Sequence, residues 1–201
     1  MLQAKGYPYT LDELLGGADS AERHRDGRYV TLRLKSSMYH RFHAPCAGRV
    51  SAIHYISGDT WNVNPVALGV VERLFCRNER VVIPLTPDDA AGNSALTLVA
   101  VAAVLVASVS LAGLDHHLDL RYTGPNRIEL NRHFLKGEEM GWFEHGSTLL
   151  LFSTRAFRFC EGLATGQVIR MGQPLMRRPE PAGETVIDST PNLLQHVTNG
   201  T

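Results

Sequence analysis

The sequence is poor in cysteine and lysine, and it has no excess of either charge. The three cysteines Cys46, Cys76 and Cys160 lie far apart and show no C-x-x-C spacing. This argues against a disulfide framework and a cysteine zinc site, and it favours a reducing compartment. Twenty basic and twenty acidic residues give a formal net charge of zero. We therefore expect no nucleic-acid partner, because such a protein usually carries a basic stripe.

Several familiar sequence motifs are missing as well. The chain has no G-x-S-x-G elbow, no Walker A loop and no dinucleotide-binding G-x-G-x-x-G. The first residues contain no apolar segment typical of a secretory signal peptide. The segment Asp115-His-His-Leu-Asp119 is rich in possible ligands but fits no metal-binding signature. We expect it to be a solvated loop, and we expect no metal cofactor.

One long stretch, between Asp89 and Asp115, carries no charge. A helix of about 20 apolar residues can span a bilayer, so its length leaves a transmembrane helix open. Valine is frequent here, however, and apolar residues alternate with serine or threonine at 96–98 and 107–111. Both features favour strands. The stretch therefore predicts one or two strands that are buried on both faces.

Local patterns elsewhere predict a mainly β chain with few helices. Thr10, Glu13 and Gly16 have the spacing of a short helix with a capping box and a glycine stop. Residues 65–75 are ambiguous between a helix and an extended segment. Pro84 indicates a strand at a sheet edge or near its end. Alternating or apolar runs predict strands at 29–34, 48–56, 80–85 and 148–152.

These elements predict a single β-rich domain of the mainly β, α+β class, folded as a barrel or sandwich with a few short peripheral helices. The domain is expected to cover residues 1–178. Residues 179–201 are rich in proline, glutamate and threonine, which is typical of a flexible tail.

Two polar clusters are candidates for chemistry. In Tyr39-His-Arg-Phe-His-Ala-Pro45, His40 or His43 could act as a general base near neutral pH. The pair could also bind a metal, although no third ligand stands at a recognisable spacing, or could be surface histidines. The second cluster is Gly146-Ser-Thr148, which leads into an apolar strand. Its glycine permits a positive φ, but spacing alone favours a tight turn whose serine caps the strand.

Several segments taken together resemble the phosphatidylserine decarboxylase family. Each match is modest, but their order and spacing across roughly residues 1–176 are specific. The resemblance implies a carboxy-lyase that converts phosphatidylserine to phosphatidylethanolamine and CO2 with a pyruvoyl cofactor. The matching segments are LQAKGYPYTLDELLGG, YHRFHAP, ISGDTWNVNP, LFCRNERVV, KGEEMGWFEHGST and IRMGQPL.

The resemblance also implies roles for individual residues. Members of the family cleave themselves within a Gly-Ser-Thr motif, which here implies cleavage between Gly146 and Ser147. The products would be a β chain, 1–146, and an α chain, 147–201. Ser147 would become the pyruvoyl group that forms a Schiff base with the substrate amine. His43 would be the base for self-cleavage, and His40 would lie near the substrate and assist decarboxylation.

The implied partners are a phospholipid substrate and a membrane surface, bound peripherally at the cytoplasmic face. The α and β chains would also be partners of each other. Whether the protein forms a homodimer is left undecided by the sequence. The family has an aspartate for self-cleavage in an upstream Pro-Ala-Asp-Gly-like motif that this sequence does not contain. We therefore expect the chain to lack the family's N-terminal region. Two alternatives remain, a soluble amino-acid decarboxylase of the same family and an inactive remnant that acts only as a binding module.

Overall fold

The computed structural model describes residues 2–4, 7–34, 37–89, 94–103, 108–144 and 147–178. The expected tail, 179–201, lies outside the described residues. The helices are α1 (Leu11–Leu15), α2 (Ala18–His24), α3 (Pro65–Val70) and α4 (Leu74–Arg77). The strands are β1 (Leu2–Ala4), β2 (Tyr7–Tyr9), β3 (Arg28–Leu34), β4 (Arg41–His43), β5 (Gly48–Ile56), β6 (Arg80–Pro87), β7 (Leu96–Val101), β8 (Ser108–Leu111), β9 (Leu118–Asp119), β10 (Arg127–Phe134), β11 (Glu139–Phe143), β12 (Ser147–Ser153), β13 (Arg158–Phe159) and β14 (Met176–Arg177).

Two antiparallel sheets form the body of the protein. The six-stranded sheet has the order β10-β5-β6-β7-β12-β3, and the four-stranded sheet has the order β4-β11-β8-β9. One apolar cluster fills the space between the sheets, and a second lies between the six-stranded sheet and helices α1, α3 and α4. We call the face of each sheet that contacts the other sheet its inner face. This sandwich with short helices on one side confirms the predicted mainly β class.

The long uncharged stretch forms β7 and β8, and every residue of both strands is buried. β7 lies near the centre of the six-stranded sheet, where one face packs on the four-stranded sheet and the other on the helices. A strand covered on both faces needs a continuous apolar run rather than strict alternation. The prediction of buried strands is confirmed. Among the described residues, no helix is long and apolar enough to span a membrane.

Pro84 does not mark an edge, and this prediction is wrong. β6 lies between β5 and β7, and Pro84 pairs with Thr97. On the other side, the register between β5 and β6 shifts between Arg49 and His54. Pro84 therefore lies opposite a bulge, where the absence of its N–H does not interrupt a regular ladder.

The capping signals of α1 are confirmed. The Glu13 N–H donates to the Thr10 hydroxyl (3.2 Å), and the Thr10 N–H donates to the Glu13 carboxylate (3.4 Å). Gly16 ends the helix with φ 72°, a left-handed conformation that glycine adopts without strain. The ambiguous segment 65–75 contains α3 and the start of α4, and the side chain of Asn64 caps α3 through the Ala67 N–H (2.8 Å).

Candidate active site

The candidate site lies at one end of the six-stranded sheet, where β6 and β12 begin and β7 ends. Val101, the last residue of β7, pairs with Arg80 on one side and with Thr148 on the other. The ladder continues by one residue, because the Ala102 N–H donates to the Glu79 carbonyl (3.0 Å). Ser147, the residue before Thr148, is the first residue of β12. One residue further toward this end of the sheet, β6, β7 and β12 therefore each contribute one residue to a row that runs across the strands.

This row consists of Glu79, Ala102 and Ser147. Ala102 belongs to the apolar cluster between the two sheets, as do Val81 and Leu149. Side chains two residues apart on a strand share a face, so Glu79 follows Val81 and Ser147 follows Leu149 onto the inner face. The row places a carboxyl group and a hydroxyl group on the same face, with the methyl group of Ala102 between them.

Both polar members of the row are buried and have unused hydrogen-bonding capacity. Ser147 is 1% exposed and Glu79 is 0% exposed. Among the described residues, the Ser147 Oγ and both Glu79 carboxylate oxygens have no hydrogen-bond partner. Most buried polar side-chain atoms in folded proteins have one. Orphaned groups of this kind, clustered together, indicate a site for chemistry or binding.

Burial raises the pKa of the Glu79 carboxyl to about 7, because the charged form is poorly solvated there. The Tyr55 hydroxyl opposes this shift, and the negative charge of Asp119 adds to it. Tyr55 donates its proton to the Asp119 carbonyl (2.8 Å). Glu79 therefore exchanges a proton near neutral pH, the range that suits a general acid or base.

His40 contributes from the four-stranded sheet. It directly precedes β4, and its carbonyl accepts a hydrogen bond from the Phe143 N–H (3.0 Å). His40 lies two residues from Phe42, which packs between the sheets, so alternation directs it to the inner face. Its Nε2 is buried without a partner among the described residues. Phe143, which is hydrogen-bonded to His40, is only four residues before Ser147. The side chains of His40 and Ser147 therefore lie at the same end of the sandwich.

The structure does not bring His43 into hydrogen-bond contact with Ser147. His43 is adjacent to Phe42 on β4 and therefore faces outward. Its Nδ1 donates to the Gly137 carbonyl (2.8 Å), which can only accept, so Nε2 accepts the Tyr39 hydroxyl proton (2.8 Å). The rings of His43 and Tyr39 also stack with centroids 5.8 Å apart. The role of His43 as the base for self-cleavage stays a prediction.

Other sequence-based candidates lie elsewhere. Gly146, the other residue of the expected cleavage site, lies outside the described residues. In the segment 115–119, Leu118 is buried and belongs to β9, so the prediction of a solvated loop is wrong for its last two residues. They pair with β8, which covers Leu118. His117 shares a hydrogen bond with Ser110 (2.5 Å). Within the described part of the chain, no three metal-ligating side chains cluster.

Sequence reasoning missed Glu79. The available signal was a pair of charged residues, Glu79 and Arg80, directly before the apolar run of β6. Two charges at the start of a buried strand normally reach solvent, whereas both are buried here. Arg80 faces the helices, because its guanidinium donates to the Leu14 carbonyl (2.9 Å). The two charges therefore lie on opposite faces of the sheet and do not neutralise each other.

Comparisons with known proteins identify the family. A family model described as phosphatidylserine decarboxylase matches residues 1–177. The phosphatidylserine decarboxylase proenzyme of Vibrio cholerae is 40% identical over 186 residues, which cover 87% of this chain and 62% of that protein. The proenzyme of Brevibacillus brevis is 34% identical and that of Myxococcus xanthus 36% identical, with coverage of 87% and 86% of this chain and 63% and 61% of the relatives.

The chain thus spans about 62% of the length of its curated relatives. The family match extends over both sheets and includes Ser147, His40, His43 and Glu79. It is independent of the geometry described above. The chain belongs to the phosphatidylserine decarboxylase family.

Proposed function

We propose that this protein is a proenzyme that cleaves itself between Gly146 and Ser147 and then converts phosphatidylserine to phosphatidylethanolamine and CO2. Membership of the family supports this proposal. The observation that carries it is the buried, unpartnered Ser147 hydroxyl at the start of β12, within a Gly-Ser-Thr sequence. Glu79 and His40 supply ionisable groups at the same end of the sandwich.

The surroundings of Ser147 fit a pyruvoyl group formed from this residue. Ala102 beside it has only a methyl side chain, and Leu34 pairs with Ser147 on its other side. The Ser147 Oγ, which has no hydrogen-bond partner among the described residues, lies on the inner face of the sheet. A pyruvoyl group supplies a carbonyl that reacts with a primary amine and accepts the electron pair released when CO2 leaves.

The chain's own residues would orient the substrate and exclude water. The apolar cluster between the sheets, which includes Leu149 and Phe143, limits the access of water to the inner face near Ser147. Charge interactions are stronger in such a poorly solvated region. The unpartnered Nε2 of His40 is available to exchange a proton with a bound substrate. This agrees with the role that the resemblance gives to His40.

Because the substrate is a membrane lipid, we further propose peripheral association with the cytoplasmic face of the membrane. The surface of α3 supports this, since Val66 is 75% exposed and Val70, one turn later, is 77% exposed. Trp61, just before α3, is 46% exposed, and the Arg77 guanidinium lies 6.0 Å from its ring centroid. Tryptophan and arginine beside apolar side chains are typical of a surface that binds at the lipid headgroups.

A decarboxylation assay tests the proposal. The purified protein should release CO2 from phosphatidylserine in vesicles, while Ser147→Ala, which has no hydroxyl to convert, should release none. Release from free serine but not from the lipid would instead support a soluble amino-acid decarboxylase. Lack of CO2 from either substrate would leave only the binding-module alternative. Circular dichroism of both proteins verifies that the substitution preserves the β structure.

A further inference from the structure

A strap formed by residues 58–64 lies between β5 and α3 in the sequence and is hydrogen-bonded to the segment that leads into β6. The Asp59 N–H donates to the Arg77 carbonyl (2.8 Å), and the Glu79 N–H donates to the Asp59 carbonyl (2.8 Å). Asp59 and Asn78 thereby form a parallel bridge. The strap therefore lies against the start of β6, at the same end of the six-stranded sheet as the candidate site.

The side chain of Asn78 fastens the strap a second time. Its Oδ1 accepts the Trp61 N–H (3.0 Å), and its Nδ2 donates to the Trp61 carbonyl (2.7 Å) and to the Ala102 carbonyl (3.0 Å). Asn78 is 0% exposed, so losing these bonds would leave buried polar groups without partners. Since Ala102 is the neighbour of Ser147 in the row, one buried amide joins Trp61 to the candidate site.

Gly58 allows the strap to approach the segment before β6 this closely. A Cβ atom at residue 58 would lie 2.2 Å from the Arg77 carbonyl oxygen, which is far inside a van der Waals contact. Only glycine fits where two backbone segments come so near each other. The strap therefore has a defined position relative to the sheet, set by backbone bonds, by the Asn78 amide and by this close contact.

The outward side of the strap carries an exposed aromatic ring. Trp61 is 46% exposed, and its Nε1–H donates to the Asp59 carboxylate (3.0 Å). The same carboxylate pairs with the Arg77 guanidinium (3.2 Å). Asn64 at the end of the strap caps α3, which carries the exposed valines described above. An indole with a satisfied N–H and an exposed ring suits the headgroup level of a bilayer.

We propose that Asn78 is a positioning residue that holds the membrane surface, formed by Trp61 and α3, at a fixed distance from Ser147. This inference rests on the proposed function. A phospholipid that stays in a bilayer offers its headgroup only at the interface, so this distance decides whether the headgroup reaches the site. A short-chain phospholipid dissolved in water diffuses to the site and does not depend on this distance. Asn78 thus acts on the use of bilayer lipid rather than on the chemical step.

Tryptophan fluorescence tests the membrane contact without measuring activity. The sequence contains two tryptophans, Trp61 and Trp142, so Trp142→Phe leaves Trp61 as the single emitter. Vesicles of phosphatidylserine and brominated phosphatidylcholine should quench this emission by at least about twofold, because bromine atoms in the acyl chains then lie near the indole. Trp61→Phe is the matched control. Trp142 lies on the four-stranded sheet, and its emission should change by less than about a tenth.

Decarboxylation kinetics test the role of Asn78. Asn78→Ala removes the three bonds of the amide and should raise the apparent KM for phosphatidylserine in vesicles by about tenfold. Its kcat/KM for a water-soluble, short-chain phosphatidylserine should stay within about twofold of wild type. Gly58→Ala, which displaces the strap without changing Asn78, should show the same selective loss. The matched control is Asn126→Ala, because Asn126 is exposed before β10, and it should leave the kinetics with both lipids unchanged.

Each variant is compared at an equal amount of split chain on denaturing gels, so that differences in self-cleavage do not enter the rates. Equal proportional losses on vesicles and on the soluble lipid would show that Asn78 only stabilises the fold, and unchanged kinetics would show that it has no role. Either result overturns the inference while the proposed function stands. Emission from Trp61 that the vesicles do not quench also overturns it. A wild-type protein that decarboxylates neither lipid would contradict the proposed function itself, and the inference with it.

Discussion

At the scale of single residues, Arg80 shows how a buried charge can link elements. Its Nε donates to the Leu14 carbonyl (2.9 Å) and its Nη2 to the Glu13 carbonyl (2.7 Å) at the end of α1. Its Nη1 donates to the carbonyls of Cys76 (2.6 Å) and Asn78 (3.0 Å) around the end of α4. Carbonyls at a helix C-terminus lack partners within the helix and attract positive charge. One guanidinium therefore joins β6 to two helices.

We expect Arg80→Lys to destabilise the protein by roughly 3 kcal/mol, because a single ammonium group cannot reproduce the planar set of donors and leaves buried carbonyls unpaired. Urea unfolding followed by fluorescence measures this loss. Arg25→Lys is the control, since Arg25 is largely exposed and pairs with Glu22 on the surface. A loss below about 0.5 kcal/mol for Arg80→Lys, the range of ordinary surface substitutions, would contradict the assigned role.

At the scale of elements, local motifs were predictable and long-range pairing was not. Thr10, Glu13 and Gly16 specify α1 through contacts within one helical turn, so the sequence predicts this helix. Pro84 was misleading, because its place in the centre of the sheet depends on a bulge in β5. In the sequence, β5 is separated from β6 by α3 and α4. The importance of Glu79 also depends on pairing, since only the lateral row across β6, β7 and β12 relates it to Ser147.

The histidine motif shows the same limit within the site. The residue pattern alone makes His40 and His43 equal candidates for a base, and only the family resemblance gives them different roles. Alternation about Phe42, which packs between the sheets, is what separates them. His40 is directed inward and His43 outward. The inner face of β4 was not predictable, because this short strand was not recognised before its pairing with β11 was known.

The exposed surface of helix α3 leads to a prediction about membrane binding. Replacing Val66 and Val70 together by aspartate should weaken binding to phosphatidylserine vesicles by roughly tenfold or more, because two apolar side chains lose their burial and anionic lipids repel the new charges. Vesicle cosedimentation measures binding. Val168→Asp is the control, since Val168 is similarly exposed at 74% but lies far along the chain. Equal binding by the double variant and wild type would show that α3 is not the membrane surface.

At the scale of the whole molecule, the topology holds the two expected cleavage products together. β12 begins at Ser147 and lies between β7 and β3, both of which precede the cleavage site in the chain. Its pairing with β3 covers the whole strand, and its pairing with β7 runs without interruption from Thr148 to Ser153. Leu149 and Leu151 contribute to the cluster between the sheets, and Leu150 and Phe152 to the cluster under the helices. Cleavage before β12 thus removes no strand from the sandwich.

We therefore expect the fragments 1–146 and 147–201 to remain associated after cleavage. They should elute together in gel filtration under native conditions and separate only in denaturant, because β12 is buried on both faces. Leu150→Asp, which places a charge in the cluster under the helices, should release the smaller fragment or prevent folding. Separation of the wild-type fragments in native buffer would contradict the central position of β12.

The intact mass of the purified wild-type protein shows whether Ser147 becomes a pyruvoyl group. We expect two polypeptides divided between Gly146 and Ser147. The second fragment should be lighter by one ammonia than a fragment that begins with serine, and it should be blocked to N-terminal sequencing. Borohydride treatment should add two hydrogens to that fragment alone, because it reduces a keto group. A single uncleaved chain after prolonged incubation, with no mass change on borohydride treatment, would show that Ser147 does not become a pyruvoyl group.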